Sequence, residues 1–258
     1  MTASESDDAP ASVQVSDGHR QLANFRDLGG LRLTGGGVTQ GGVLYRSDAP
    51  YPGDTAPDGA PSWPPDTVID LRSPGEGGPG YRWPAAVTVH RMPLMRQAAV
   101  VTGADRPARD RPVTLASVYL AMLKAVPQDL ASTVGIAARC AGPVLVHCAA
   151  GKDRTGVAIA VLLLAGGVEP ESVVTDYTTT ASRMGALVRR LQGQGRRLPV
   201  DVDADSELLG APADAISLVI DRLAGWPGGP QAWVTGHGGS AGDIGRWRDR
   251  LAAGGSSS

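Results

Sequence analysis

The chain has 258 residues, of which 42% are hydrophobic, so it is long enough to form one domain with a sizeable core. Its formal net charge of −2 argues against a protein dedicated to binding nucleic acid, because such proteins carry strongly basic surfaces. The two cysteines, Cys140 and Cys148, are too few for a disulfide framework and favour a reduced compartment. We therefore expect a cytoplasmic protein, with export without a signal peptide left open.

The two ends of the chain are predicted to be disordered. Residues 1–18 are acidic and polar, without the apolar core of a secretory signal, and residues 254–258 belong to a glycine and serine tail. Residues 19–253 are predicted to form a single domain. The longest apolar run, near Val157–Ala165, is too short to span a bilayer, so no stable insertion into a membrane is expected.

Strand-like segments come mostly in the first half of the chain. Val43–Arg46, the string TVIDLRS from Thr67 and the string AVTVHRMPL from Ala86 are short apolar runs near proline and glycine. Val144–Val146 is a fourth such run, and it leads directly into a helix. These short runs predict the strands of one sheet.

Helical spacing of apolar residues dominates the second half. Because strands come early and helices late, the sequence predicts an α/β fold with a central, mostly parallel sheet flanked by helices. The predicted helices are Leu115–Val126, Leu130–Cys140, Val157–Ala165, one or two helices over residues 170–192, Ala213–Trp226 and Asp243–Ala252.

The segment that carries the chemistry joins the strand Val144–Val146 to the following helix and reads HCAAGKDRTG, residues 147–156. A short loop between a strand and a helix turns several backbone N–H groups inward, and the first N–H groups of the helix have no partner within it. The helix dipole adds positive potential, so such a loop can cradle a tetrahedral dianion such as a phosphate. The small residues Ala149, Ala150 and Gly151 would let the anion approach the backbone.

Cys148 and Arg154, separated by five residues, are the candidate reactive pair. Arg154 can bind two phosphate oxygens with its planar guanidinium. The positive field is expected to lower the pKa of the Cys148 thiol, so that a thiolate attacks phosphorus and forms a phosphocysteine. Thr155 could donate a hydrogen bond to the sulfur, and His147 is expected to orient the loop. Cys140, on a predicted helix end, is expected to be structural.

This loop resembles the phosphate-binding loop of the protein tyrosine phosphatase superfamily, which reads His-Cys-x5-Arg-Ser/Thr. The Lys-Asp pair before the arginine is similar to the bacterial, atypical tyrosine phosphatase family. The strings NFRDLGG, YRSD, IDLRSPGE and TDYTTTASRM also occur in the order seen in that family. The resemblance covers roughly residues 20–250 and implies a protein tyrosine phosphatase-like fold with helices that can cover the site. Ser182–Trp226 could provide this lid.

The leaving oxygen needs a proton and the attacking water later needs a base, and one carboxyl group can serve both steps. The resemblance implies that Asp153 is this acid and base, and a neighbouring phosphate would raise its pKa and help it to donate. Asp70 is the second candidate, unless it only forms a strand-end ion pair with Arg72. The string WPPD, residues 63–66, precedes the strand of Asp70 and is interpreted as a coincidental match to the acid loop of many tyrosine phosphatases.

Lys152 supplies a further positive charge in the loop. Phosphoinositide phosphatases of the same superfamily also carry a lysine here, so it could hold a second phosphate, or it could be a solvated lysine that tunes the local potential. Four later arginines could form a basic rim for acidic substrates, although a solvated helix face is favoured. They are Arg189, Arg190, Arg196 and Arg197.

The sequence thus predicts a phosphatase that uses no metal or other cofactor, with protein phosphotyrosine as its leading substrate. Phosphoinositides and phosphoserine or phosphothreonine stay open, and so does an inactive module that binds phosphoproteins. Sulfur transfer of the rhodanese kind is less favoured, because its thiolate loop is typically one residue shorter. The oligomeric state is not indicated by the sequence.

Overall fold

The computed structural model describes residues 20–76, 80–94, 114–193 and 210–252. The two predicted disordered ends lie outside these ranges, and so do Arg196 and Arg197 of the predicted basic rim. The limits of the domain therefore stay a prediction.

A central sheet of five strands runs through the described part of the chain. The strands are β1 (Arg26–Asp27), β2 (Leu44–Ser47), β3 (Thr67–Asp70), β4 (Thr88–Arg91) and β5 (Val144–His147). Their spatial order is β1-β2-β5-β3-β4; β1 and β2 are antiparallel, and the other pairs are parallel. The predicted α/β fold with a mostly parallel sheet is confirmed.

The central strand β5 is buried on both faces of the sheet. Val144 and Val146 point into the large apolar core that the helices share, whereas Leu145 points into a smaller cluster on the opposite face. Burial on both faces explains why this strand reads as an unbroken apolar run. The smaller cluster consists of Leu22, Phe25, Tyr45, Val68 and Leu145, with Trp63 and Trp83 packed against it.

Seven helices follow or interrupt the strands within the described residues. None of them combines the length and the apolar character needed to cross a bilayer. They are α1 (Leu115–Ala125), α2 (Pro127–Arg139), α3 (Asp153–Ala165), α4 (Pro170–Gly193), α5 (Ala213–Ala224), α6 (Gly229–Gly236) and α7 (Ala241–Ala252).

Helix α3 occupies the interior and begins at the candidate loop. Every residue from Arg154 to Ala165 is buried, which fits a helix without a polar face. The indole of Trp247 in α7 donates a hydrogen bond of 2.8 Å to the carbonyl of Leu162, in the middle of α3. The helix starts one turn before the predicted Val157, so that Asp153 and Arg154 belong to its first turn.

The expected lid covered Ser182–Trp226, but the part of it that forms α5 packs into the core instead. Helix α5 buries Ile216, Val219 and Leu223 in the main apolar cluster, so this helix is a fixed wall of the domain. Residues 194–209 of the expected lid lie outside the described ranges, and a lid formed by them stays a prediction.

Helix α6 was not predicted, because its surroundings, GWPGGP at residues 225–230, read as a break in the chain. The break ends at Gly228, whose φ of +85° suits glycine. Pro230 then stands in the first turn of α6, where a helix needs no N–H group. The glycines and prolines therefore start this helix rather than exclude one.

Candidate active site

The candidate loop, residues 148–152, leaves the C-terminal end of β5, beside the ends of two neighbouring parallel strands. In the register of the sheet, His147 is opposite Ser47 of β2 on one side and Asp70 of β3 on the other. The fold therefore brings the predicted residues of the loop together with Asp70, which is 77 positions away from His147 along the chain.

Three successive carbonyls of the loop are held from outside. Because the C=O and N–H of a trans peptide point to opposite sides, the amides of residues 150–152 face the other way, toward the hollow of the loop. Among the described residues, the amides of Ala150 and Gly151 have no acceptor. The three donors are the Ala49 N–H to Ala149 (3.1 Å), the Asn24 side chain to Ala150 (3.0 Å) and Arg46 to Gly151 (2.8 Å).

Gly151 is required for the tight turn of this loop. Its φ is +68°, and a Cβ atom built on it would lie 2.3 Å from the carbonyl oxygen of Ser47. A side chain here would therefore both strain the backbone and collide with β2. The glycine lets the loop lie directly against the end of that strand.

Cys148 lies at the bottom of the loop, with 2% of its surface exposed, whereas Ala149 and Ala150 are only half-buried. The hydroxyl of Thr155 is also buried and has no hydrogen-bond partner among the described residues. A buried hydroxyl without a partner costs free energy unless something binds there. This is where the sequence predicts a donor to the sulfur or its phosphate.

Arg154 reaches back over the loop from the first turn of α3. Burial alone would lower its pKa, but the neighbouring Cys148 and Glu76 raise it, so the guanidinium is charged. Its Nη1 donates to the carboxylate of Glu76 and, at 3.4 Å, to the carbonyl of Leu71. Within the described chain no partner occupies Nε or Nη2, and this edge of the guanidinium can therefore receive an anion.

Asp153 is bound at one of its two carboxylate oxygens. The hydroxyl of Tyr119 donates to Oδ1 at 2.5 Å, and the Lys152 ammonium lies 3.4 Å from the same oxygen. Across the described residues, Oδ2 has no partner, and 36% of the side chain is exposed. One oxygen is fixed, and the other can exchange a proton.

Asp70 is bound at both of its carboxylate oxygens, by Arg72. The guanidinium donates to Oδ1 at 2.9 Å and to Oδ2 at 2.7 Å, and the Arg72 amide also donates to Oδ1. Burial alone would raise the pKa of Asp70, but Arg72 and the nearby His147 outweigh it and hold the pKa below its ordinary value. The strand-end ion pair left open by the sequence is present.

His147 is buried directly beneath the loop. Its Nδ1 lies 3.3 Å from the carbonyl oxygen of Cys148 and 3.8 Å from the carboxylate of Asp70. Burial lowers its pKa to about 4, although Asp70 acts in the opposite direction. A neutral imidazole can therefore donate to the loop backbone, the contact expected of an orienting residue.

Lys152 is not solvated, which removes one of the two interpretations that the sequence left open. It is 3% exposed, and its ammonium donates to the carbonyl of Gly210 at 2.9 Å. The same ammonium lies beside Asp153. Its charge contributes to the potential of the loop while its nitrogen contacts other parts of the chain.

A buried ion network braces the loop from behind. The carboxylate of Asp176 in α4 pairs with both Arg26 of β1 and Arg46 of β2. Arg46 in turn holds the Gly151 carbonyl. The strings NFRDLGG, YRSD and TDYTTTASRM therefore meet in one structure behind the candidate site.

Arg190 is buried, which corrects its assignment to a basic rim or a solvated helix face. It is 2% exposed and pairs with Asp48 and Asp54. Asp48 also accepts a hydrogen bond of 2.8 Å from the backbone N–H of Asn24. Arg190 therefore fastens the end of α4 to the segment after β2.

Sequence reasoning missed the roles of Glu76, Tyr119 and Arg46 in holding the loop residues. Glu76 lies within the string IDLRSPGE, and Arg46 lies within YRSD. Their presence as charged residues inside these strings was the signal that could have indicated a role at the site. Tyr119 lies in the apolar spacing of α1 and carries no such signal. Among the described residues, no group of three or more His, Cys, Asp or Glu side chains could hold a metal ion.

Comparison with known proteins agrees with this geometry. A model of the tyrosine phosphatase family matches residues 19–253. The chain belongs to the tyrosine phosphatase family. The resemblance stated from the motifs is confirmed, and the protein is a tyrosine phosphatase that acts on phosphorylated substrates.

Two relatives of this phosphatase illustrate the range of the family. The first, from Cupriavidus necator, is named "Putative tyrosine-protein phosphatase H16_A0669"; it is 29% identical over 244 residues, which covers 84% of each chain. The second is the "Triple specificity protein phosphatase PtpB" of Mycobacterium tuberculosis, 43% identical over 49 residues, 19% of this chain and 18% of the relative.

Proposed function

We propose that this phosphatase hydrolyses phosphate monoesters, protein phosphotyrosine above all, through a phosphocysteine on Cys148. The observation that carries the proposal is the loop itself. Its carbonyls are held from outside, its amides face the hollow, and an arginine with an open edge stands above a buried cysteine. Such a cradle binds a tetrahedral dianion directly over the sulfur.

In the first step the Cys148 thiolate attacks phosphorus, a sulfur–phosphorus bond forms, and the bond from phosphorus to the leaving oxygen breaks. Asp153 gives its proton to that oxygen and becomes a carboxylate. Arg154 binds the equatorial phosphate oxygens with Nε and Nη2, which stabilises the charge of the transition state. Thr155, whose hydroxyl has no partner within the described ranges, donates to the sulfur.

In the second step water attacks the phosphocysteine. Asp153, now a carboxylate, takes a proton from the water, and the sulfur–phosphorus bond breaks to release phosphate and the thiolate. The helix dipole and the loop amides stabilise the departing thiolate. The first step changes Cys148 and Asp153 and the second restores both, so a full cycle consumes only the ester and water and needs no redox partner.

Phosphotyrosine is proposed as the main substrate because the sulfur is deeply placed. With 2% of Cys148 exposed, a long aryl ester can carry its phosphate to the bottom of the loop more easily than a short seryl ester. The alternative substrate, a phosphoinositide, was inferred from the possibility that Lys152 binds a second phosphate. Its ammonium contacts Gly210 and Asp153 instead, which weakens that support.

The test of the mechanism is turnover of para-nitrophenyl phosphate in the presence of EDTA by wild type, Cys148→Ser and Cys140→Ser. We expect activity in wild type and Cys140→Ser, none in Cys148→Ser, and a phosphorylated peptide containing Cys148 in rapidly quenched wild type. Cys140 lies at the end of α2, hydrogen-bonded to Ala137, and serves as the matched control. Retained turnover in Cys148→Ser would refute the proposal.

The same preparation separates the rival functions. An inactive binding module would bind a phosphotyrosine peptide in calorimetry without releasing phosphate. Peptides with phosphotyrosine or phosphoserine and a short-chain phosphoinositide should then be compared by kcat/KM. We expect the phosphotyrosine peptide to be the best substrate, and a higher kcat/KM for the phosphoinositide would replace our choice of substrate.

A further inference from the structure

Tyr119 and Tyr177 form a buried pair whose hydroxyls lead to Asp153. Tyr119, on α1, is 0% exposed, and Tyr177, on α4, is 1% exposed. Their hydroxyls are 2.7 Å apart and their rings pack edge to face. The hydroxyl of Tyr119 lies 2.5 Å from Oδ1 of Asp153, so this pair is linked to the proposed reaction through Asp153.

The direction of the protons in this pair follows from counting donors. A tyrosine hydroxyl has one hydrogen to donate. Because Tyr119 donates to Oδ1 of Asp153, the hydrogen between the two tyrosines must come from Tyr177. Burial, Asp153 and Tyr177 all raise the pKa of Tyr119 above its ordinary value, so its hydroxyl keeps its proton.

The pair also decides which oxygen of Asp153 reacts. Tyr119 and Lys152 both lie against Oδ1, while Oδ2 has no partner in the described part of the chain. A proton on the carboxyl group therefore belongs on Oδ2. When Oδ2 loses its proton, the bond from Tyr119 to Oδ1 strengthens, because hydrogen bonds to a charged acceptor are stronger.

Resting on the proposed role of Asp153, we propose that Tyr119 is a positioning residue for proton transfer to the leaving group, with Tyr177 as its support. Tyr119 fixes the carboxyl group and stabilises the carboxylate formed when the proton leaves. The proton that moves is the one on Oδ2; the tyrosines keep theirs. Gly156 of α3 makes room for the pair, since a Cβ there would lie 3.0 Å from the ring of Tyr177.

The experiment is Tyr119→Phe, assayed by kcat/KM on a series of aryl phosphates whose leaving groups differ in pKa. The value of kcat/KM reports the transfer of phosphate to the enzyme, so the later hydrolysis does not hide the effect. We expect a loss of about tenfold for phenyl phosphate and almost none for dinitrophenyl phosphate, whose leaving group needs no proton. Tyr177→Phe should show the same pattern with a smaller loss.

A second arm places Tyr119→Phe in the Asp153→Asn background, where it should cause no further loss for phenyl phosphate. The control is Tyr45→Phe, which removes a buried hydroxyl bonded to Ser62, away from Asp153, and should leave the series unchanged. Equal losses for both substrates, or a further loss in Asp153→Asn, would overturn the proposal and leave Cys148 chemistry intact. If Tyr119→Phe does not fold, Tyr177→Phe decides by the same criterion.

Discussion

The two aspartates that flank the cysteine loop are held in opposite ways. Asp70, at the end of β3, has both carboxylate oxygens bonded to Arg72, and its side chain is 11% exposed. Asp153, at the start of α3, is bonded at Oδ1 but not at Oδ2 by the residues that the structure describes, and its side chain is 36% exposed. A general acid has to carry a proton and release it, and only the second arrangement leaves an oxygen for that proton.

This difference shows that the hydrogen bonds a carboxyl group already makes help to decide whether it can act as a general acid. Hydrogen bonds that favour the charged form hold a carboxylate deprotonated. Asp70 is therefore better suited to hold Arg72 in place than to donate a proton. Substitution of each aspartate should separate these two roles by the size of the loss in rate and by its dependence on the leaving group.

The largest effect is expected for Asp153→Asn. Loss of a general acid typically slows a reaction about 10²–10⁴-fold, and we expect such a loss in kcat/KM for phenyl phosphate. The loss should shrink to a few-fold for dinitrophenyl phosphate. Steady-state kinetics will measure the loss in kcat/KM on both substrates, and calorimetry will measure the binding of phosphate. Equal losses on the two substrates would contradict the role of Asp153 as the acid.

A smaller effect on rate is expected for Asp70→Asn. The change removes charged hydrogen bonds to Arg72, a guanidinium that interacts electrostatically with Cys148, and a misplaced Arg72 should cost about tenfold in kcat/KM. The loss should be the same for good and poor leaving groups. If Asp70→Asn were the variant with the steep leaving-group dependence, the two aspartates would have to exchange their assigned roles.

The Asp70 pair also predicts a pH effect on stability. Because the folded pKa of Asp70 lies below its unfolded value, the pair stabilises the fold above about pH 4 and loses this contribution as the pH falls through the folded pKa. Asp70→Asn should therefore be less stable than wild type at pH 7, and the difference should narrow in acid. Urea unfolding at pH 7 and pH 3 measures it.

The smallest effect is expected for Glu76→Gln, because glutamine can still accept a hydrogen bond from Arg154. Losing the charge should raise KM for aryl phosphates about threefold, with little change in kcat. The matched control is Glu169→Gln, which removes a carboxylate just before α4 and leaves Arg154 untouched. A fall in kcat of tenfold or more would instead give Glu76 a part in the chemical step.

Local patterns predicted much of the fold. A short apolar run predicted the strand Thr67–Asp70. Apolar residues at helical spacing predicted the helices α2 and α7. The loop between β5 and α3 was predicted at its observed place, because its residues are adjacent in the chain, and the chemical roles of those residues stay a prediction. Such features need no knowledge of which distant segments meet.

Features that depend on distant contacts were predicted less well. The burial of Arg190 requires Asp48 and Asp54, more than 130 positions away, and an arginine beside other arginines reads as solvated. Tyr119 reaches Asp153 across 34 positions and sits in a helix whose spacing indicates only burial. The packing of α5 into the core likewise depends on contacts that no single segment displays.

The bracing by Asp176 has a consequence for how this enzyme can vary. One carboxylate ties two strands and a helix to the back of the loop: through Arg46 it is linked to the Gly151 carbonyl, and through Arg26 and Asn24 to the Ala150 carbonyl. A substitution of Asp176 would therefore weaken the binding of every phosphate ester to a similar extent, whatever molecule carries the phosphate. Preference for one substrate over another has to arise at the mouth of the site, where residues can change without loosening this anchor.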